Sequence, residues 1–251
     1  MDRWYNKVAV VTGASKGIGA AITQAFLKNG IQVVGLARHI EPMEQMKKEL
    51  PAELQHKFSA LKCNVSDLHS VNEAFDEVES KCDGIDILVN SAGLFHPQSL
   101  LNGDISVIQE MLLTNVMGVV HCNQRAYKSI RDRNFDGHIF IINSIGGHNI
   151  PIAPKEVPPM VGMYVASKWS LKAMAEIYRQ EFRHFDTKIK ITTISPGATD
   201  TPFLDNYLRD YTDGNFLNAE DVAHSVLYAL GTPTHVQVHD LIVKPVAEFV
   251  L

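Results

Sequence analysis

Cysteine is scarce in this chain, and the three present, Cys63, Cys82 and Cys122, share no paired spacing. They form neither a disulfide framework nor a zinc pattern, so each reads as a small buried hydrophobe in a reducing compartment, and no metal is expected. No run of 18 apolar residues occurs, so no membrane span is expected. No basic run stands out and the formal net charge is −5, which leaves no footprint for a nucleic-acid partner. The opening residues, Met1-Asp2-Arg3-Trp4-Tyr5-Asn6-Lys7, lack the apolar core of a secretory signal, and a cytoplasmic setting is expected. Linkers, internal repeats and low-complexity segments are missing too. A chain of 251 residues, 45% apolar, then has room for one large domain with a substantial core.

What is present is an alternation of strand and helix patterns. Apolar, strand-like runs lie at 8–11, 32–36, 57–62, 85–89, 139–142, 189–194 and 236–243. Helical patterns lie between them at 20–27, 42–50, 67–81 (Asp67 as N-cap), 104–133, 163–185 and 219–230. Continuous apolar strands separated by helices predict parallel βαβ units with right-handed crossovers. The expected fold is α/β: a single Rossmann-type, doubly wound domain over residues 1–251, with a seven-stranded parallel sheet covered by helices on both faces. Two stretches break the rhythm. Residues 145–163 form a long, Pro-rich loop containing Pro151, Pro154, Pro158 and Pro159. Residues 199–219 carry Phe203, Leu204, Tyr207, Leu208, Tyr211 and Phe216 among polar neighbours, which suits a lid over an apolar pocket or a short surface helix packed on the domain. Loops of this length inside a compact domain are usually functional.

The residues able to do chemistry gather at predicted strand ends. Thr12-Gly13-Ala14-Ser15-Lys16-Gly17-Ile18-Gly19 joins the first strand to a helix. Such a turn permits positive φ and close backbone approach, and the helix start beyond it attracts phosphate. A plain tight turn would use the same glycines, but their place after the first strand of an alternating chain favours nucleotide binding. The second strand ends in Gly35-Leu36-Ala37-Arg38-His39, with no acid for ribose hydroxyls. Arg38 and Lys16 are either two solvated cations or a 2′-phosphate grip, and their shared location favours NADP over NAD. The fourth strand ends in Asn90-Ser91-Ala92-Gly93, the fifth in Asn143-Ser144, and the sixth in Ser195-Pro196-Gly197-Ala198-Thr199-Asp200-Thr201. Tyr164 and Lys168, four residues apart, share one helix face. Alone they are as consistent with a solvated face as with catalysis. As a working pair, the ammonium would draw the phenol toward neutrality and make it a proton carrier.

Taken together, Thr12-Gly13-x3-Gly17-Ile18-Gly19, Asn90-x-Ala92-Gly93, Asn115, Ser144, Tyr164-x3-Lys168 and Pro196-Gly197 resemble the short-chain dehydrogenase/reductase family over essentially the whole chain. Within it, the Met-Asp-Arg-Trp start and the Val-Val-Gly-Leu-Ala-Arg strand resemble an insect farnesol dehydrogenase-like group, allied to the vertebrate dehydrogenase/reductase member eleven proteins that act on ketosteroids. The resemblance implies a catalytic tetrad. Tyr164 would exchange a proton with the substrate oxygen, and Lys168 would lower its pKa and bind the ribose. Ser144 would hold the substrate oxygen, and Asn115, at a break in the long helix, would support a water leading from Lys168 to solvent. It also implies NADP contacts from Gly13, Ser15, Lys16, Gly17, Ile18, Gly19, Arg38, Asn64, Val65, Asn90, Ala92, Gly93, Pro196, Gly197, Thr199 and Thr201. Two positions depart from the family: Ser91 replaces a second Asn, and Asn64-Val65 stands where an Asp-Val is common. The implied reaction moves a hydride between nicotinamide and a small hydrophobic alcohol or carbonyl, a farnesol-like isoprenoid alcohol first, a ketosteroid or other ketone second. Leu94, Phe95, Ile145, Phe203, Leu204 and Tyr207 flank the motifs and would line the substrate pocket. His148, Ile150, Pro151 and Ile152 are further candidates, on a loop longer than usual in the family. Assembly as a homodimer or homotetramer through the two long helices is implied as well. A reading of another class, a nucleotide-binding regulator without catalysis, should lack part of the tetrad, which this chain keeps.

Overall fold

The computed structural model describes residues 1–152, 155, 159–204, 209 and 214–247. Tyr207, Leu208, Tyr211, Pro154 and Pro158 lie outside the described residues.

Seven strands form one all-parallel sheet in the order β3-β2-β1-β4-β5-β6-β7. They are β1 Val8–Thr12, β2 Gln32–Ala37, β3 Phe58–Lys62, β4 Ile87–Asn90, β5 His138–Ile142, β6 Lys190–Pro196 and β7 Asp240–Val243. The helices are α1 Gly17–Lys28, α2 Glu41–Glu49, α3 Ala52–Gln55, α4 Leu68–Lys81, α5 Ile105–Leu112, α6 Gly118–Asp132, α7 Gly162–His184 and α8 Ala219–Leu230. β1 shows why continuous apolar strands belong here. Its Ala9 and Val11 enter the core packed under α1, α2 and α8, while Val8 and Val10 enter the opposite core under α4, α6 and α7. Both faces are covered, so both side-chain sets are apolar.

The chain runs outward from β1 to β3, then returns to place β4 on the other side of β1. This reversal opens a crevice beyond the carboxyl ends of β1 and β4, the position where such sheets bind ligands. Asp67 caps α4 as expected, accepting from the His69 amide at 3.0 Å. The long helix predicted over 104–133 is one helical stretch interrupted by a π-helical turn at Leu113–Met117. By length and composition Ile105–Asp132 could cross a membrane. Here its Val119, Cys122, Ala126 and Ile130 are buried against the sheet.

Two boundaries moved for visible reasons. β7 starts at Asp240 rather than 236, because Val236 closes a turn onto the Pro233 carbonyl at 3.0 Å. β4 starts at Ile87 because the Ile85 amide turns away to the Ser129 hydroxyl at 3.0 Å. An N-terminal 3-10 turn, Asp2–Trp4, was not expected. It buries Trp4 completely and aims its indole N–H at the Leu230 carbonyl, 2.9 Å away.

Candidate active site

The glycine turn forms one end of a cleft of about 930 Å³, near the upper limit for ligand sites. Gly13 has φ +68°, and a Cβ there would sit 2.9 Å from the Ala92 backbone. A Cβ on Gly19 would collide with the Gly13 carbonyl. The turn therefore closes tightly against β4 and runs directly into α1, which starts at Gly17, three residues earlier than expected. No side chain caps the start of α1 and no acid lies in its first turn, so its amide groups remain suited to an anion. Thr12 stitches the two strand ends together: its Oγ1 accepts from the Ser91 and Ala92 amides at 3.1 and 3.0 Å.

Lys16 and Arg38 both border this end of the cleft and are exposed. Arg38 leans across to Glu110 on α5 at 3.4 Å. An exposed pair of this kind is worth less than about 1 kcal/mol, so the guanidinium is readily drawn to a phosphate. Asn64 and Val65 line the same end. Asn64 Oδ1 accepts from the Ser66 hydroxyl at 2.8 Å, which leaves its NH2 as the group to offer.

Asn90 departs from the expected cofactor contact. It does not line the main cleft; it is buried beneath it, donating to Asn123 Oδ1 at 2.8 Å and to the Phe140 carbonyl at 3.2 Å. Asn115 sits in the π-helical turn, where the widened backbone turns it toward the strand-end loop. Its amide closes a two-way bond with Leu94, accepting from the N–H at 2.7 Å and donating to the carbonyl at 2.9 Å, and reaches Ser167 Oγ at 3.2 Å.

At the other end of the cleft, Ser144, Tyr164 and Lys168 converge. Ser144 Oγ accepts from the Gly146 amide at 3.1 Å, so its proton is free for its hydrogen bond with Tyr164. Lys168 is buried, with Nζ 5.6 Å from the centre of the Tyr164 ring and 3.0 Å from the Ile142 carbonyl, to which it donates. Desolvation pushes the Tyr164 phenol up to about 12, with the Ser144 bond pulling the other way. Burial brings Lys168 down to about 8. The expected shift of Tyr164 toward neutrality is thus reversed: desolvation, which opposes every charged form here, sets its direction.

The apolar wall is largely where the motifs placed it. Phe95 meets the Tyr164 ring edge-on at 5.1 Å between centroids, and Phe203 lies 5.9 Å from it. Leu94, Ile145, Leu204, Ile150, Pro151 and Ile152 also line the cleft. His148 does not: it faces Ser195 and Asp240 instead. Pro196, Gly197, Thr199 and Thr201 border the cleft, and Thr201 packs against Gly17. A bridge between Thr199 and Leu217 closes the base of the segment between them. Sequence reasoning missed Asn143 as a site residue. It lines the cleft, is almost wholly buried, and neither its amide oxygen nor its nitrogen has a partner. Its place just before Ser144 at a strand end was the available signal. The orphaned amide atoms of Asn143 and the uncapped start of α1 behind the glycine turn both fit a dinucleotide lying from that turn to Tyr164.

A family model for short chain dehydrogenases matches residues 7–212. A farnesol dehydrogenase from Aedes aegypti is 45% identical over 249 residues, covering 99% of each chain. Dehydrogenase/reductase SDR family member 11 from Gallus gallus is 37% identical, covering 98% of each. Among solved structures, an alcohol dehydrogenase from Thermococcus sibiricus complexed with 5-hydroxy-NADP superposes with TM-score 0.82 at 26% identity, covering 97% of this chain and 98% of that one. The chain belongs to the short-chain dehydrogenase family of oxidoreductases.

Proposed function

We propose that this protein is an NADP-dependent oxidoreductase that interconverts a hydrophobic alcohol and its carbonyl, with a farnesol-like isoprenoid alcohol as the leading substrate class. The observation that carries the proposal is the meeting of Tyr164, Ser144 and Lys168 at the apolar end of a cleft whose far end is a glycine cradle. A bound nicotinamide supplies hydride exchange with the substrate carbon. The chain supplies the rest. Ser144 donates a hydrogen bond to the substrate oxygen and stabilises charge developing there. Tyr164, protonated near neutrality, gives its proton to a carbonyl being reduced, or as phenolate takes one from an alcohol being oxidised. Lys168 places positive charge beside that phenolate and its ammonium N–H donors toward the ribose hydroxyls. Asn115 holds the Leu94 backbone and so fixes the wall carrying Phe95. Lys16 and Arg38 take the 2′-phosphate, Arg38 exchanging Glu110 for it. Phe95, Phe203, Ile150 and Ile152 shed water from an extended apolar chain.

The name of the Aedes aegypti relative supports an isoprenoid alcohol, and the open apolar rim at Ile150 and Ile152 suits its flexible chain; a ketosteroid or other ketone is the second reading. Exposed Leu113 and Met117 beside α5 and α6, with Trp169 and Ile177 on α7, support homodimers or homotetramers built on these helices. The test is a screen of isoprenoid alcohols and ketosteroids with NADP(H) and NAD(H), repeated with Arg38→Ala. Arg38→Ala is expected to weaken NADPH binding about tenfold or more and leave NADH binding unchanged. An unaltered preference between the two cofactors rejects Arg38 as the phosphate reader.

A further inference from the structure

A cluster of titratable groups lies behind the cleft wall and takes no part in the chemistry proposed above. His148 Nε2 is 3.0 Å from Ser195 Oγ and 3.2 Å from Asp240 Oδ2. Ser195 Oγ donates to Asp240 Oδ1 at 3.0 Å. On the opposite side of the ring, Lys172 Nζ is 3.2 Å from His148 Nδ1. The side chains of His148 and Asp240 are only 11% and 25% exposed, so water competes weakly for these bonds.

The network selects one form of the imidazole. Ser195 has spent its proton on Asp240, so both neighbours of Nε2 are acceptors, and Nε2 carries the proton. Lys172 can only donate, so Nδ1 accepts and carries none. The neutral Nε2–H tautomer satisfies every member of the cluster.

Its position gives it consequence. His148 follows the short 3-10 turn Ile145–Gly147 that Ser144 caps. Lys172 lies on α7, one turn beyond Lys168 and two beyond Tyr164. Ser195 immediately precedes the Pro196-Gly197 edge of the cleft, and Asp240 opens β7. One side chain thus ties the Ser144 turn to the helix bearing Tyr164 and to two strands. The cleft-lining residues Asn149, Ile150, Pro151 and Ile152 leave the fold directly from it.

We propose that His148 is a positioning residue: as the neutral Nε2–H tautomer it latches the Ser144 turn onto α7, β6 and β7, holding Ser144 against Tyr164 and fixing where the 149–152 wall begins. The proposal rests on the roles given above to Ser144 and Tyr164. Protonation releases the tie to α7, because a proton on Nδ1 points at the Lys172 ammonium, while the Nε2–H bonds to Ser195 and Asp240 persist. Burial lowers the His148 pKa below its usual 6.5; Asp240 acts against this, and Lys172 adds to it. The latch is therefore closed at neutrality and opens on acidification below pH 6.5.

The test is kcat/KM against pH for the full-length protein, wild type and variants. Wild type is expected to lose activity below pH 6.5 through a single protonation. His148→Ala is expected to lose about tenfold or more at neutral pH, as displaced reacting groups do. His148→Gln keeps a donor for Ser195 and Asp240 but does not titrate. It is expected to stay within about threefold of wild type at neutrality and to lose the acid-side fall. A general packing role would not separate the two variants in this way. If His148→Ala fails to fold, the His148→Gln profile decides alone. The latch is rejected if wild type has no acid-side fall, if His148→Gln retains it, or if a folded His148→Ala matches wild type. Ser144→Ala and Tyr164→Phe run alongside: full activity in those two rejects the reading of the site itself, not the latch.

Discussion

Desolvation moves Tyr164 and Lys168 in opposite directions, up to about 12 and down to about 8. Tyr164 stays protonated through the neutral range, which suits carbonyl reduction, while alcohol oxidation, needing the phenolate, should quicken as pH rises. Lys168 also marks stability. The unfolded chain holds its proton up to about 10.5, whereas the folded protein releases it near 8. Between these values the unfolded state binds more protons, so stability rises with pH. The penalty of the buried ammonium is fully present below the lower value and fades above it. The unfolding free energy of wild type relative to Lys168→Met is therefore expected to rise by about 2 kcal/mol between pH 7 and pH 9.5, measured by urea titration of both proteins. The Cys63, Cys82 and Cys122 thiols, raised by burial, pull stability the other way above about pH 8.5 in both proteins and cancel in the comparison, while Tyr164 acts above this range. An equal rise in the variant removes Lys168 as its source. At this scale the sequence was partly legible. Residue types and spacing named Tyr164, Lys168 and Ser144, but the direction of the Tyr164 shift depended on burial, which spacing does not encode.

The elements that carry the site are short-range constructions, and those were the most legible. The glycine turn, the Asp67 cap and the strand-end motifs are decided within about ten residues. Gly19 illustrates the constraint: its missing Cβ lets the Gly13 carbonyl approach. Gly19→Ala must push the turn outward, and it is expected to weaken cofactor affinity by about tenfold or more while the melting transition stays cooperative. Binding titration by NADPH fluorescence reads this, and wild-type affinity would show that the turn does not carry the cofactor. Side-chain direction across elements was not legible. Asn90 turns under the sheet to Asn123, His148 turns out to Asp240, and Trp4 reaches Leu230. Each choice is made by a partner more than thirty residues away, at a distance where periodicity carries no information.

The whole molecule is the doubly wound sheet that alternation predicted, with helices on both faces and seven parallel strands. That class was legible because burial on both faces forces continuous apolar strands, and parallel pairing forces crossovers. The crevice then follows from strand order, since the reversal at β1 and β4 leaves the sheet's carboxyl edge open. Every motif that the sequence placed at a strand end meets there, apart from the Asn90 side chain. Tyr164 as the proton carrier in that crevice is the central claim about this enzyme. The direct measurement is single-turnover hydride transfer, followed by NADPH absorbance with a responsive isoprenoid alcohol or ketone, for wild type and Tyr164→Phe. The ring is retained in the variant, so packing against Phe95 and Phe203 persists and only the hydroxyl is lost. A fall of about a hundredfold or more, with NADPH affinity unchanged, is the expected result; a Tyr164→Phe protein that transfers hydride at the wild-type rate contradicts it.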